Sequence, residues 1–600
     1  MKAIYIKEQR RYTFTELKKL MDLTNDNCEK IIKKLKYFGI LRIVRATSEE
    51  KKLADLQNEI EILEDKIDSI SIYYVFKYVG IITIGDRVLI CYPKYINRTN
   101  EPKYEMKQIL KVIKKYNSEE QIINMYNGEG EERSFNLLSI ILFLINDYYI
   151  NDVYTNHKDI IEIKGEGDIL WDKTINETFA LINNNNPYYL EVYTEKSVED
   201  NMNYFNRLHK YIITECFKYI EASNLGYLFD IEVNELYDGN IDDFGDEEYI
   251  LYRLDREINT QYITKKQITL KTIYAYIANR KVDINDLGLS LYGTTNFNLI
   301  WEKVCANALN NKINCKLHKL PLKLSLEYED KKQITLRDII EKPKWKTINK
   351  NGKIISLDAS KTLTPDLISI IEYDNTYGFM IFDAKYYTIS FDNNKLCNNP
   401  GIGDVTKEYL YQLAYSKFIK SNGYKFIANS FLFPTEGNDT KSIGEAEMSI
   451  LADLGLSNIE LIKLPATKVY DLYLNNKLFD INIILRQINL RRMKACLEKD
   501  LFKDIYEIVE KQVIHERIKA NVNETVYDGY LDIKYELNTL SNNIGRIIRS
   551  QQSNYSNKIK EIESILRNNT LIKDIQGNKL IIEKIEEIVI EKFLNFYEKT

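Results

Sequence analysis

The sequence predicts an α+β multidomain protein, and three observations carry that reading. Two apolar stretches rich in β-branched and aromatic residues, Leu367–Tyr373 and Phe379–Phe382, flank the turn-like Asp374–Gly378 and read as a hairpin. Helical periodicity precedes it at Phe297–Leu309 and follows it at Asp404–Lys420, with further strands at Phe426–Pro434 and Ile459–Leu464. Helix, strands, helix, strand in that order is a three-layer α/β/α core. At 600 residues the chain also exceeds one ordinary hydrophobic core. The expected division is a winged-helix-like domain at 1–98 with a heptad arm at 48–70, a mixed α/β middle domain at 99–290, the α/β/α core at 291–484 and a helical C-terminal domain at 485–600.

Composition narrows the classes. A 44% hydrophobic and 28% charged chain is globular, and no apolar run reaches membrane-spanning length. The seven cysteines form no CxxC pair and the four histidines are scattered, which argues against zinc sites and a disulfide framework. A reducing cytoplasm is the expected location, since the charged Met1–Arg11 is no signal peptide. With a net charge of −5, any nucleic-acid contact must concentrate positive charge locally. No GxxxxGK[ST] loop occurs, so the sequence shows no P-loop motor of its own.

From the amino terminus, Phe14–Leu23 and Asn25–Leu41 have helical periodicity broken at Thr24, and Arg42–Ala46 turns extended. That is a helix-turn-helix leading into a wing. Lys30, Lys33, Lys34, Lys36, Arg42 and Arg45 form a first basic cluster, suited to DNA or to a protein contact. Leu53, Leu56, Ile60, Leu63, Ile67 and Ile70 alternate spacings of three and four, an a/d seam for a short coiled coil or a helical hairpin arm, set against a partner helix or packed on its own domain; self-association is a separate expectation. Tyr73–Tyr92 returns to strand, with Gly85-Asp86 as a hairpin turn.

Lys103–Lys115, Phe135–Ile150 and Val198–Ala222 read as helices, and the acidic Tyr237–Tyr249 as a solvated loop. Glu166, Asp168 and Asp172 lack the rest of a calcium loop and read as structural. Trp345–Leu357 forms a second hairpin through Asn351-Gly352. Beyond Leu485 the pattern is helical, with a second basic cluster at Arg486, Arg491, Arg492 and Lys494 and a strongly apolar helix at Leu580–Phe596.

The chemistry concentrates on the first hairpin. Antiparallel pairing brings Asp366 opposite the Asp383–Tyr386 region, so Asp366, Asp383 and Lys385 converge at one end. Two carboxylates and an ammonium at the end of a buried strand are costly unless used. They suit a hard divalent cation: Mg2+, with Mn2+ expected to substitute, bound by Asp366 and Asp383 while Lys385 orients a water and steadies charge on a phosphate. The bland counterpart is a salt bridge at a strand end. Glu302, on the flank of the preceding helix, and Gln412, in YQLAY, are further candidates.

Pro365-Asp366 with Asp383-Ala384-Lys385 resembles the PD-(D/E)xK nuclease motif. Four stretches in order, VGIITIGDRVLICYPKYI (Val79–Ile96), GEGDILWDKTI (Gly165–Ile175), YGTTNFNLIWEKVC (Tyr292–Cys305) and Pro365–Lys385 followed by YQLAY, resemble LlaJI-type restriction endonuclease subunits, relatives of McrC nucleases. The resemblance implies a Mg2+-dependent endonuclease cutting double-stranded DNA in a restriction or phage-defence system, working with a McrB-like AAA+ GTPase. It makes Asp366, Asp383 and Lys385 the catalytic set, joined by Glu302 and Gln412, with Asp366, Asp383 and Glu302 on the metal. The rivals are a DNA-binding scaffold with weak or no nuclease activity, and a nuclease acting on RNA.

Overall fold

The computed structural model describes residues 2–47, 70–118, 126–127, 134–200, 202–285, 288–348, 354–373, 375–392, 395–489, 491–492, 560–561 and 564–565. The heptad seam up to residue 69, the Asn351-Gly352 turn, Lys494 and the Leu580–Phe596 helix lie outside these residues. The architecture is mixed α and β, and the chain separates into two compact units. One comprises residues 1–304 with 386–399 and 470–476, and the other 305–385 with 400–469 and 477–600. Residues 291–304, which the sequence groups with the α/β/α core, cluster with the first unit. No described helix is long and apolar enough to cross a membrane.

In the first unit a four-stranded sheet runs in the order Lys2–Lys7, Arg87–Tyr92, Val79–Ile84, Leu289–Thr294. Every residue of Val79–Ile84 is buried, which is why VGIITI is apolar without alternation. Gly80 lies opposite Gly293, and a Cβ on either would sit 2.3 Å from a carbonyl oxygen of the facing strand. Gly80 also holds φ at +142°, so both glycines are demanded by close backbone approach.

Helices Phe14–Met21 and Asn25–Tyr37 start on Thr13 and Thr24, whose hydroxyls accept the N–H of Glu16 and Asn27. Their inward residues Leu17, Met21, Cys28, Ile31 and Leu35 pack with Ile4, Ile6, Ile82 and Leu89 in one core. A three-stranded sheet in the order Arg11–Tyr12, Ile70–Phe76, Leu41–Thr47 completes this part.

Two expectations change here. Tyr193–Glu199 is a strand paired with His157–Ile163, so the long helix begins at Tyr204, capped by Asn203, and not at Val198. The acidic stretch is not a loop to its end: Asp246 caps a helix, Glu247–Thr260, whose first turn holds Glu247 and Glu248 against the positive helix end.

His209, on the Tyr204–Ala222 helix, is fully buried and accepts the Tyr154 N–H on Nδ1 at 2.9 Å. Burial pushes its pKa down to about 4. Between residues 155 and 200 the only buried side chains are Thr174 and Thr194, while Phe179 is 97% exposed and Ile182 75%. That segment holds a three-stranded sheet, a two-stranded hairpin and the short helix Trp171–Glu177.

The second unit is built on a five-stranded mixed sheet ordered Leu367–Tyr373, Thr376–Ala384, Lys425–Thr435, Ile459–Pro465, Lys441–Ala446. The second strand starts at Thr376, where the turn was expected to centre, and Asn375 turns the chain with φ at +60°. The helix Ile402–Ser421 connects the parallel strands Thr376–Ala384 and Lys425–Thr435. Ile368, Ile370, Phe379 and Ile381 bury one face of the hairpin against Tyr411, Tyr415, Phe418 and Ile419 of that helix. Leu367, Met380 and Phe382 are buried as well, so the strands are covered on both faces.

On the fourth strand Glu460 is completely buried and receives hydrogen bonds from Arg491 and Arg492 at 2.8 to 3.1 Å. Two members of the second basic cluster are therefore committed within the protein.

Candidate active site

Period-two alternation places Asp383 on the face that carries Phe379 and Ile381, the face covered by the Ile402–Ser421 helix. Pro365 is buried immediately before the first strand, where its missing N–H costs no ladder bond. The start of that strand is pinned by Asn311, which donates to the Asp366 carbonyl at 3.1 Å and accepts the Ile368 N–H at 3.0 Å. The Asp366 carboxylate accepts the Ala384 N–H at 2.9 Å. Asp366, Asp383 and Lys385 come together as the pairing predicts.

Lys385 Nζ lies 2.8 Å from Asp383 Oδ2 and 3.0 Å from Asp404 Oδ1. Burial works against the ammonium, but Asp383 and Asp404 outweigh it and hold its pKa above the ordinary lysine value. Lys385 is thus a cation and a hydrogen-bond donor at neutral pH, not a proton acceptor.

Asp404 and Glu408 stand beside this cluster, and the sequence reading passed over both. Glu408 is fully buried, and neither carboxylate oxygen has a hydrogen-bond partner among the described residues. Burial first, then the charges of Asp383 and Asp366, push its pKa well above the usual carboxylate range, with Lys385 opposing. The available signal was spacing: Asp404, Glu408 and Gln412 stand at i, i+4 and i+8, one face of one helix.

Gln412 is buried on that helix. With its amide nitrogen turned to Ser457, it donates to the Ser457 carbonyl at 3.2 Å and accepts the Ser457 N–H at 2.8 Å. Glu302 is half-buried on Phe297–Ala308, beside Trp301, in the first unit. Of the basic cluster, Lys30, Lys33 and Lys36 are exposed on the outer side of Asn25–Tyr37, Lys34 is half-buried and Arg42 is exposed on the next strand; the Arg45 side chain lies outside the described residues.

Among the described residues no group of three His, Cys, Asp or Glu side chains stands in metal-holding geometry. The donor set nevertheless fits a hard cation. Asp366, Asp383 and Glu408 are all-oxygen donors, and Glu408 is a buried carboxylate with two orphaned oxygens facing further negative charge, an arrangement a divalent ion would relieve.

A family model described as LlaJI restriction endonuclease matches residues 78–470. The chain is 30% identical over 490 residues to the type II restriction enzyme BsuMI component YdjA of Bacillus subtilis (strain 168), a match covering 80% of this chain and 93% of that protein. Among solved structures, a half-complex of Thermococcus gammatolerans McrB AAA+ hexamers with bound McrC is similar at 12% identity and a TM-score of 0.31, over 79% of this chain and 100% of that one. The Thermococcus gammatolerans McrBC complex is similar at 13% identity and a TM-score of 0.18, over 46% and 80%. At such scores neither structure carries an argument about this chain.

Proposed function

Because the chain belongs to the LlaJI restriction endonuclease family, we propose that it is the endonuclease subunit of a restriction system, a PD-(D/E)xK hydrolase that cuts double-stranded DNA with Mg2+. The observation that carries this reading is the meeting of Asp366, Asp383 and Lys385 beside the orphaned carboxylate of Glu408. Asp366, Asp383 and Glu408 would hold the cation, which supplies a Lewis acid at a phosphate oxygen.

Lys385, kept protonated and aimed by Asp383 and Asp404, steadies the negative charge that develops on the phosphate. Gln412 fixes the rotation of the Glu408 helix through Ser457 and so sets where that carboxylate points. In this reading the amino-terminal helices and three-stranded sheet form a winged helix, with Lys30, Lys33, Lys34, Lys36, Arg42 and Arg45 adding DNA affinity. The Bacillus subtilis relative is named as a component, which supports reading this chain as one subunit among several. The partner is a McrB-like AAA+ GTPase, since the sequence has no P-loop.

The test is cleavage of end-labelled duplex DNA, single-stranded DNA and RNA by the purified chain, with and without Mg2+, Mn2+ and the neighbouring-gene GTPase. Metal-dependent cutting of the duplex, raised by the GTPase with hydrolysable nucleotide, is the expected result. Cutting confined to RNA, or duplex binding without any cleavage, would replace this reading by one of its rivals.

A further inference from the structure

The second unit contains a groove of about 560 Å³ whose lining brings Arg337, Lys342, Lys361 and Lys407 together. None of these four cations is within ion-pair distance of a carboxylate among the described residues, whereas other cations of the unit, such as Lys385 and Arg491, are paired. The lining sets these four cations against two acids: Glu341, and Asp338, whose carboxylate accepts the Thr335 N–H at 2.9 Å and the Thr335 hydroxyl at 2.6 Å and is held below its usual pKa by those bonds and by the charges of Arg337 and Lys342. The groove is therefore net positive in a chain whose overall charge is −5.

Its position ties that charge to the catalytic carboxylates. Tyr411 lines the groove, and its hydroxyl donates to the carbonyl of Thr364 at 3.0 Å, two residues before Asp366. The charges of Glu408, Asp383 and Asp366 all reach the Tyr411 phenol. Lys407, on the groove, immediately precedes Glu408. On the outer rim, Lys342 and Ser360 flank the base of the Lys344–Ile348 and Ile354–Asp358 ribbon, which is closed by the Ala359 N–H on the Pro343 carbonyl at 2.8 Å. Every described residue of that ribbon is exposed, and Lys344 and Lys346 continue the positive charge beyond the rim.

We infer that this groove is the phosphate track of the nuclease unit: it holds the DNA backbone on one side of the bond to be cut, with Arg337, Lys342, Lys361 and Lys407 on consecutive phosphates. The inference rests on the nuclease reading above and moves the main backbone contact to the unit that holds the catalytic residues, away from the amino-terminal basic cluster. Cations lining a groove that shares Thr364, Lys407 and Tyr411 with the segments carrying Asp366 and Glu408 suit a polyanion, and a duplex offers phosphates at regular spacing.

The experiment compares the full-length wild type, R337A/K342A/K361A and K33A/K34A/K36A. Binding of a short labelled duplex is titrated against salt in EDTA, and cleavage kinetics are measured with Mg2+. The groove variant should lose about three units of log–log salt slope, roughly one per phosphate contact, and its KM for duplex should rise about tenfold or more. Its kcat at saturating duplex should stay within about twofold of wild type, because none of the three touches the reacting phosphate. An unchanged slope and KM in the groove variant, with the loss appearing in K33A/K34A/K36A instead, would overturn the inference. So would a fall in kcat at unchanged slope. Wild-type protein that binds the duplex and never cuts it would sink the nuclease reading, and the slope comparison would still decide the groove.

Discussion

The Asp366 carboxylate accepts the backbone N–H of Ala384 at 2.9 Å, so the acid of Pro-Asp is hydrogen-bonded to the middle residue of Asp-Ala-Lys. The two halves of the motif are locked to one another by the register of a single hairpin, and a slip of one residue would turn Asp383 and Lys385 to the opposite face. Asp366→Asn keeps an acceptor for Ala384 and should leave stability within about 1 kcal/mol of wild type, while cleavage falls ~10²-fold or more for want of a charged metal ligand. Urea denaturation alongside a cleavage assay separates the two effects.

Lys385→Ala and Asp383→Asn should each reduce cleavage by ~10²-fold or more with the fold intact. Asp404 acts through Lys385, so Asp404→Asn should lose less, about tenfold, and Asp404→Glu should recover part of the loss. Single-turnover rates on duplex DNA order the four variants. Equal loss in Lys385→Ala and Asp404→Asn would mean Asp404 does more than aim the lysine.

Glu408→Gln removes a buried carboxylate that has no hydrogen-bond partner among the described residues. Its metal-free melting temperature should be equal to or higher than that of wild type, because the desolvation cost of the carboxylate is gone. The rise in melting temperature that Mg2+ gives the wild type should disappear along with cleavage. Thermal melts with and without Mg2+ read both, and a retained Mg2+ shift would remove Glu408 from the metal.

His209 has its pKa lowered from 6.5 to about 4 by burial. A depressed folded-state value means the unfolded chain takes up the proton first. The stabilisation is fully present above pH 6.5 and is lost as pH falls from there towards 4, at about 1.4 kcal/mol per unit. His209→Asn keeps an acceptor for the Tyr154 N–H and should flatten the acid limb of a stability–pH curve measured by denaturant titration. An acid limb identical to wild type would show that other groups set it.

Arg491→Ala combined with Arg492→Ala leaves the fully buried Glu460 without either cation. The expected cost is about 3 kcal/mol, the lower end for stranding a buried charge, since both arginines are partly exposed. Adding Glu460→Leu should restore much of it, read as the urea midpoint of the transition that exposes this sheet.

How much of this was legible follows from how local each signal is. Leu367–Tyr373 and Thr376–Ala384 pair with a near neighbour, so the hairpin and the convergence of Asp366, Asp383 and Lys385 can be read from a short stretch. The apolar stripe of Phe297–Ala308 is likewise local, and Phe297, Ile300, Trp301, Val304 and Ala308 are all buried. The helix is read from Val198 although Val198 and Glu199 end the strand Tyr193–Glu199, because that strand's identity depends on His157–Ile163, some thirty residues away, and its own composition is polar. The i, i+4 spacing of Asp404 and Glu408 puts them on one helix face, but that spacing alone does not separate them from ordinary helix-surface acids. Only the sheet beneath the helix buries Glu408 and brings Lys385 to Asp404, and that is a tertiary fact.

The segment between residues 155 and 200, with no apolar side chain buried, has a consequence for amide exchange. Its ladders, His157–Ile163 with Tyr193–Glu199 and Ala180–Asn183 with Asn186–Tyr189, are closed by hydrogen bonds with no oily layer beneath them. Opening such a ladder exposes almost no new apolar surface, so the opening free energy is a small fraction of the global value and its denaturant dependence is close to zero. In a deuterium pulse these amides should label early and at a rate nearly independent of low urea. Those of Val79–Ile84, with every side chain buried, should wait for global unfolding.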